Sequence, residues 1–301
     1  MIEWVGIFTV VSNMDKTEAA NGGPKAGEVP EVETPAQGAR GPALDLLVDE
    51  HEEEESINGR TVRHRGIYIL PNLFTTGALF AGFYAIIAAM RGDYDAAPMA
   101  IFVALVFDGL DGRVARLTNT SSKFGAEYDS LSDMVSFGVA PALVVFSWAL
   151  GDLGKFGWSV AFIYVACAAL RLARFNTQID TADKQYFTGL ASPAAASVIA
   201  SAVWVCQDAG WVGDALPYEL AVLIGLLTGL AGFLMIANFP YHSFKGVDFR
   251  SRVPFVVMIA IVLVFGLVTV DPPRILLMAF LAYAASGPLA QFLKWRKQRA
   301  L

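Results

Sequence analysis

From Tyr68 onward the chain alternates long apolar runs with short polar, charged or turn-forming segments. Each run is about 20 residues long, the length an α-helix needs to cross the hydrocarbon core of a bilayer. A helix satisfies its own backbone donors and acceptors where no water can reach them, so runs of this length predict helices. Eight are present, at 69–90, 95–116, 126–150, 156–175, 189–208, 217–239, 253–270 and 274–293. The pattern predicts an all-α integral membrane protein with about eight transmembrane helices. Its second and third runs are interrupted by charge. Ahead of the spans the pattern is different. Residues 14–58 are rich in Glu, Gly, Pro and Ala and contain the run Asp49-Glu50-His51-Glu52-Glu53-Glu54-Glu55. Such a segment buries too little apolar surface to offset its ordering entropy, so disorder is expected there. The expected organisation is an acidic tail over 1–60 and a transmembrane domain over 61–301. Residues 1–13 are apolar but too short to span, and lack the basic start of a signal peptide. They fit an interfacial segment or an extension upstream of a start at Met14, and the sequence leaves both open.

Composition agrees with a membrane solvent: 55% of residues are apolar and 17% charged. The net charge of -6 comes from the tail, because 13 of the 28 acidic residues but only 3 of the 22 Lys and Arg precede Gly59. Lys and Arg favour the cytoplasmic side of a membrane. Arg60, Arg63, Arg65, Arg113, Arg116, Lys123, Arg171, Arg174, Lys184, Lys245, Arg250, Arg252, Lys294, Arg296, Lys297 and Arg299 fall on one side of the eight-span pattern. Arg91, Lys155 and Arg274 fall on the other. Both termini are therefore expected in the cytoplasm, with Trp148, Trp158, Trp204 and Trp211 near the opposite interface. Cys167 and Cys206 each lie in an apolar run and imply no disulfide framework. No nucleic-acid partner is expected.

The interrupted runs carry the candidate chemistry. Phe107 to Asp133 reads FDGLDGRVARLTNTSSKFGAEYDSLSD. An uncompensated acid in a span costs roughly 2.5–3.5 kcal/mol on insertion scales, so four of them need a reason. Asp108 and Asp111 are three apart and share a helix face, and Asp129 and Asp133, four apart, do likewise. A short connection containing Gly125 makes the two helices antiparallel neighbours, so all four carboxylates can meet near the cytoplasmic boundary. Converging carboxylates stay ionised only beside cations. Oxygen ligands without His or Cys favour a hard ion, Mg²⁺ or Mn²⁺, and two such ions are a usual device for holding a phosphoryl group. The competing reading makes the acids helix caps or partners of Arg113 and Arg116.

The spacing Asp-x2-Asp-Gly-x2-Ala-Arg-x8-Gly-x3-Asp-x3-Asp resembles the signature of the CDP-alcohol phosphotransferases. Asp108, Asp111, Gly112, Ala115, Arg116, Gly125, Asp129 and Asp133 match it without departure. The resemblance implies a six-helix core, a two-metal centre on Asp108, Asp111 and Asp129, and an Asp133 that completes the centre and acts as general base. It places Ser122 against the cytidine nucleotide, and Asn72 and Thr75, in Leu70-Pro71-Asn72-Leu73-Phe74-Thr75-Thr76, against the diphosphate. An ordinary helix start explains that last stretch equally well. Gly112 lets a nucleotide lie against bare helix backbone or simply packs a neighbouring helix. Arg116 suits a diphosphate or serves as an inside-facing charge. The family resemblance also implies a homodimer.

The motif specifies a CDP-linked donor but leaves the acceptor alcohol open. PNLFTTGALFAGFYAI over 71–86, Arg171-Leu172-Ala173-Arg174-Phe175-Asn176 and Gly189-Leu190-Ala191-Ser192-Pro193-Ala194-Ala195-Ala196 resemble the bacterial phosphatidylserine synthases, as do two spans beyond the core. The implied substrates are CDP-diacylglycerol and L-serine in a multi-pass cell membrane protein, with glycerol 3-phosphate or inositol phosphate as alternative acceptors. The carboxylate of serine needs a cation, for which Arg171, Arg174 and Lys123 are the candidates and topogenic charge the competing role. His242 reads as interfacial. A divalent-cation transporter is the rival from another class, but it predicts acids spread through several spans, and the later spans here are nearly free of them.

Overall fold

A computed structural model of the chain describes residues 53–57, 60–64, 69–118, 123–178, 186–242, 259, 263, 266 and 268–299. All lie in one compact unit, His51–Leu301. The disorder expected over 14–52 falls outside the described residues.

The helices are α1 Ile69–Met90, α2 Ala96–Thr118, α3 Lys123–Asp133, α4 Ala140–Trp148, α5 Lys155–Gln178, α6 Ser192–Asp208, α7 Tyr218–Ile236 and α8 Pro272–Arg299. Five stretches are long and apolar enough to cross a membrane: Pro71–Met90, Phe124–Trp148, Lys155–Thr177, Tyr218–Ile236 and Pro272–Arg296. Helices α2 and α6 occupy the second and fifth expected spans, but α2 carries the site charges and α6 has only 17 residues. Most of the seventh expected span, 253–270, lies outside the described residues, so the expected count of eight is not established. The outward faces of the helices carry Phe80, Phe83, Leu226, Leu230, Phe233 and Met278, all exposed, as suits a surface bathed in lipid.

The third expected span is not one continuous α-helix. A π-helical segment, Met134–Val139, joins α3 to α4, with the Ala140 N–H donating to the Val135 carbonyl. Pro141 follows at once and has no N–H, so it cannot supply the donor that an α-helix brings to the Phe137 carbonyl. The Tyr164 hydroxyl of α5 donates to that carbonyl instead, at 3.0 Å, and both residues are fully buried. An unmet carbonyl at this depth costs about 1–3 kcal/mol, which gives Tyr164 a structural task.

Small residues set the helix spacing. Ala85, Ala88 and Ala89 of α1 and Ala97, Ala100 and Ala104 of α2 are buried, and α2 is the helix that packs most extensively on α1. Lipid tails are as apolar as a leucine side chain, so close van der Waals contact of this kind drives association in a membrane. At Gly82 a Cβ would come within 2.7 Å of the Ser136 Cα, and Ser136 donates to the Ala78 carbonyl at 3.0 Å. Trp148, at the end of α4, is buried in the core. Cys167 and Cys206 are free and buried, as expected of packing residues.

Two short antiparallel pairs complete the fold. Strand β1, Glu53–Ile57, pairs with β2, Arg60–His64, which corrects the expected disorder for those five acidic-tail residues. The sequence between them is Asn58-Gly59, the pair favoured in two-residue hairpin loops, and the register sets Glu54 opposite Arg63. Strand β3, Tyr186–Thr188, pairs with β4, Pro240–His242. Gly189 follows with φ of +88°, and any side chain there would run into the Met235 carbonyl.

Candidate active site

The acids of α2 and α3 converge. One carboxylate oxygen from each of Asp108, Asp111 and Asp129 lies within 4.8 Å of the other two. Spacing along each helix puts its acids on one face, and the packing of α2 and α3 on α1 brings the faces together. Asp133, one turn beyond Asp129, is within hydrogen-bond reach of Asp108.

The polar groups around the acids reach across helices. Thr75 of α1 is buried, and its hydroxyl lies 2.9 Å from Asp111 Oδ2 and 3.2 Å from the Pro71 carbonyl. The Gly112 N–H donates to Asp111 Oδ1 at 2.5 Å. Ser132 of α3, also buried, donates to the Thr75 carbonyl at 3.1 Å, locking α3 to α1 beside the acids. Ser130 and Asn176 bond reciprocally between α3 and α5, at 3.0 and 3.3 Å. Thr75, expected to face a diphosphate, is therefore engaged with a carboxylate. Asn72 is half-buried, one turn before Thr76, whose hydroxyl donates to the Asn72 carbonyl.

A Cβ on Gly112 would meet nothing within 4 Å, nor would one on Gly109. Among the described residues no neighbouring helix packs closely on Gly112. The two glycines, three apart, expose a bare strip of α2 backbone beside the acids. Gly109 is an addition to the expected set, and its place three residues before Gly112 is the signal that could have found it. Gly125 is half-buried in the first turn of α3.

Arg171 and Arg174 separate. The Arg171 guanidinium donates to Ser192 Oγ at 2.7 Å, and its charge bears directly on Asp133 and Asp108. Arg174 donates to the Ile236 carbonyl at 3.4 Å, serving an open C-terminal carbonyl of α7. Ser122 and the side chains of Arg116, Lys123 and His242 lie outside the described residues.

The donor set suits a hard divalent ion. It consists of carboxylate oxygens drawn from two helices, and no His or Cys joins the cluster among the described residues. A buried Asp111 with a hydrogen bond on each oxygen is oriented as a metal ligand should be.

Residues 68–237 match the family model for CDP-alcohol phosphatidyltransferases, more than half of the chain. The chain belongs to that family. Every residue of the α2–α3 site lies inside the matched region, and α8 lies beyond it. Among curated relatives, the CDP-diacylglycerol–serine O-phosphatidyltransferase of Helicobacter pylori is 38% identical over 200 residues, covering 66% of this chain and 82% of the relative. The enzyme of the same name from Mycobacterium leprae is 34% identical over 239 residues, covering 77% of each chain. A third, from Methanocaldococcus jannaschii, is 37% identical over 187 residues and covers 62% of this chain and 80% of its own.

Proposed function

We propose that this CDP-alcohol phosphatidyltransferase moves the phosphatidyl group of CDP-diacylglycerol to the hydroxyl of L-serine, giving phosphatidylserine and CMP. The observation that carries the reading is the meeting of Asp108, Asp111 and Asp129 within 4.8 Å, with Asp133 in hydrogen-bond reach of Asp108 and the charge of Arg171 acting on both. The choice of serine rests on the relatives' names and on Arg171, a cation for the acceptor carboxylate next to the proposed base.

Asp108, Asp111 and Asp129 would hold Mg²⁺ or Mn²⁺, which when bound offsets charge on the diphosphate and on the departing CMP. Thr75 and the Gly112 N–H keep Asp111 turned toward that position. The bare strip at Gly109 and Gly112 admits the nucleotide against α2. Asn72, Arg116, Ser122 and Gly125 complete its seat, as the family motif implies. Asp133 accepts the proton of the serine hydroxyl. The serine oxygen then bonds to the lipid-side phosphorus, and the bond from that phosphorus to the bridging oxygen of CMP breaks. Arg171 holds the serine carboxylate so that its hydroxyl faces Asp133. Holding both reactants in this way is worth several powers of ten in rate. We place the site at the cytoplasmic face of the cell membrane, on the Lys and Arg distribution, in a homodimer.

The deciding assay supplies purified protein with CDP-diacylglycerol, Mg²⁺ or Mn²⁺, and serine, glycerol 3-phosphate or inositol phosphate in separate reactions. CMP release with serine is expected. Release only with a phosphorylated acceptor would overturn the acceptor assignment, and no release with any would overturn the activity. Asp133→Asn should lower turnover by about 10²-fold or more while CDP-diacylglycerol still binds. Retained synthesis would remove Asp133 from the role of base.

A further inference from the structure

Ser192 opens α6, within the stretch from Gly189 to Ala196 that resembles the bacterial phosphatidylserine synthases. It is fully buried, and its Oγ accepts a hydrogen bond from the Arg171 guanidinium at 2.7 Å. The backbone leading to it is pinned to the end of α7 and the residues that follow. The Gly189 N–H donates to the Phe239 carbonyl and the Leu190 N–H to the Leu234 carbonyl, each at 2.9 Å. Leu190 is itself fully buried. The Ser192 hydroxyl is therefore a fixed point for the guanidinium. At the amino end of a helix the backbone field repels a cation, so this hydrogen bond, and not the dipole of α6, holds Arg171 there.

The register of the helices directs Arg171 toward the acids. Asp133 ends α3, and two hydrogen bonds to α5 bracket it along the chain: Ser130 with Asn176 before it, and the Phe137 carbonyl with Tyr164 after it. On α5 the same two bonds bracket Arg171. Tyr164 and Arg171 are seven positions apart, about two helical turns, so they share the face of α5 that meets this segment. The effect of the Arg171 charge on Asp133 and Asp108 agrees with that placement. We propose that Ser192 is a positioning residue, whose hydroxyl fixes the Arg171 guanidinium in the orientation that receives the carboxylate of the amino-acid acceptor. The guanidinium is a rigid fork of donors, so tying one nitrogen sets the direction of the others. Without the tie the side chain regains rotamer freedom and has to be ordered again when serine binds. That weakens serine binding and leaves the nucleotide end of the site untouched. The assignment rests on serine being the acceptor and Arg171 its cation.

The test uses the purified full chain in mixed micelles with CDP-diacylglycerol and Mn²⁺, comparing wild type with Ser192→Ala and Ser192→Cys. The Cys variant fills the same space with a poor acceptor, so it decides the matter if Ser192→Ala does not fold. Ser197→Ala, a buried hydroxyl of the same helix, is the control. The KM for serine should rise by more than twofold, up to about tenfold, in the Ser192 variants, the cost of ordering one long side chain on binding. The KM for CDP-diacylglycerol should stay at the wild-type value, and the loss should lie mainly in the serine KM, because saturating serine re-orders the guanidinium. Ser197→Ala should change neither KM. A serine KM within twofold of wild type in a folded Ser192 variant, with wild-type turnover of serine intact, would overturn this assignment alone. An equal rise in the KM for CDP-diacylglycerol would mark a general loss of packing and overturn it too. A wild-type protein that releases no CMP with serine would overturn the acceptor reading and this assignment with it.

Discussion

Two polar regions of this membrane protein differ in how far their hydrogen bonds reach. In α6 and α7, Ser197, Ser201 and Thr228 are fully buried, and each hydroxyl donates to the carbonyl one turn earlier in its own helix, at 2.7, 2.6 and 2.8 Å. Such back-bonding requires nothing of neighbouring helices. Around the acids the bonds run between helices: Thr75 to Asp111, Ser132 to the Thr75 carbonyl, Ser130 to Asn176, Arg171 to Ser192. Each of those depends on the relative position of two elements. Bonds of this kind tie elements together at the acids and also in the core, at Ser136 and Tyr164, whereas back-bonded hydroxyls tie nothing.

Substitutions can break that comparison at graded strength. Asp108→Asn or Asp129→Asn should lower kcat/KM by about a thousandfold or more in the CMP-release assay, since each removes charge from the shared oxygen cluster. Thr75→Val keeps the shape and removes the hydrogen bond to Asp111. It should raise the Mn²⁺ concentration for half-maximal rate by about 10–100-fold, the usual cost of losing a group that orients a metal ligand. Tyr164→Phe strands the Phe137 carbonyl and should cost about 1–3 kcal/mol of stability, visible as a lower midpoint of detergent-induced unfolding. Ser197→Ala and Ser201→Ala should stay within about 0.5 kcal/mol of wild type and turn over at the wild-type rate. Equal effects of Thr75→Val and Ser197→Ala on the Mn²⁺ requirement would erase the distinction between the two regions.

The parts of this arrangement legible in the sequence are those with a local cause. Run length predicts the helices, and the spacing of Asp108, Asp111, Asp129 and Asp133 predicts one acidic cluster, because both follow from the geometry of a helix. What depends on helix rotation was out of reach. Arg171 and Arg174 are three residues apart at the same end of α5, and only packing decides which turns toward Asp133; α5 meets α7 closely at Gly232, where a Cβ would sit 3.2 Å from the Tyr164 Cα. Thr75 was legible as a site residue but not as the partner of Asp111, which lies 36 positions away. The π-helical join needed Pro141 and Tyr164 to be considered together. The hairpin over 53–64 was available in Asn58-Gly59, and the acidic composition around it obscured that signal.

The central claim is that carboxylates of α2 and α3 bind a divalent ion together, and Mn²⁺ binding to the purified protein, followed by electron paramagnetic resonance without substrate, tests it most directly. Wild type and Ser197→Ala should both bind Mn²⁺, and the Asp108→Asn, Asp111→Asn, Asp129→Asn triple variant should bind none while remaining folded by circular dichroism. Binding by a folded triple variant at wild-type affinity would contradict the claim.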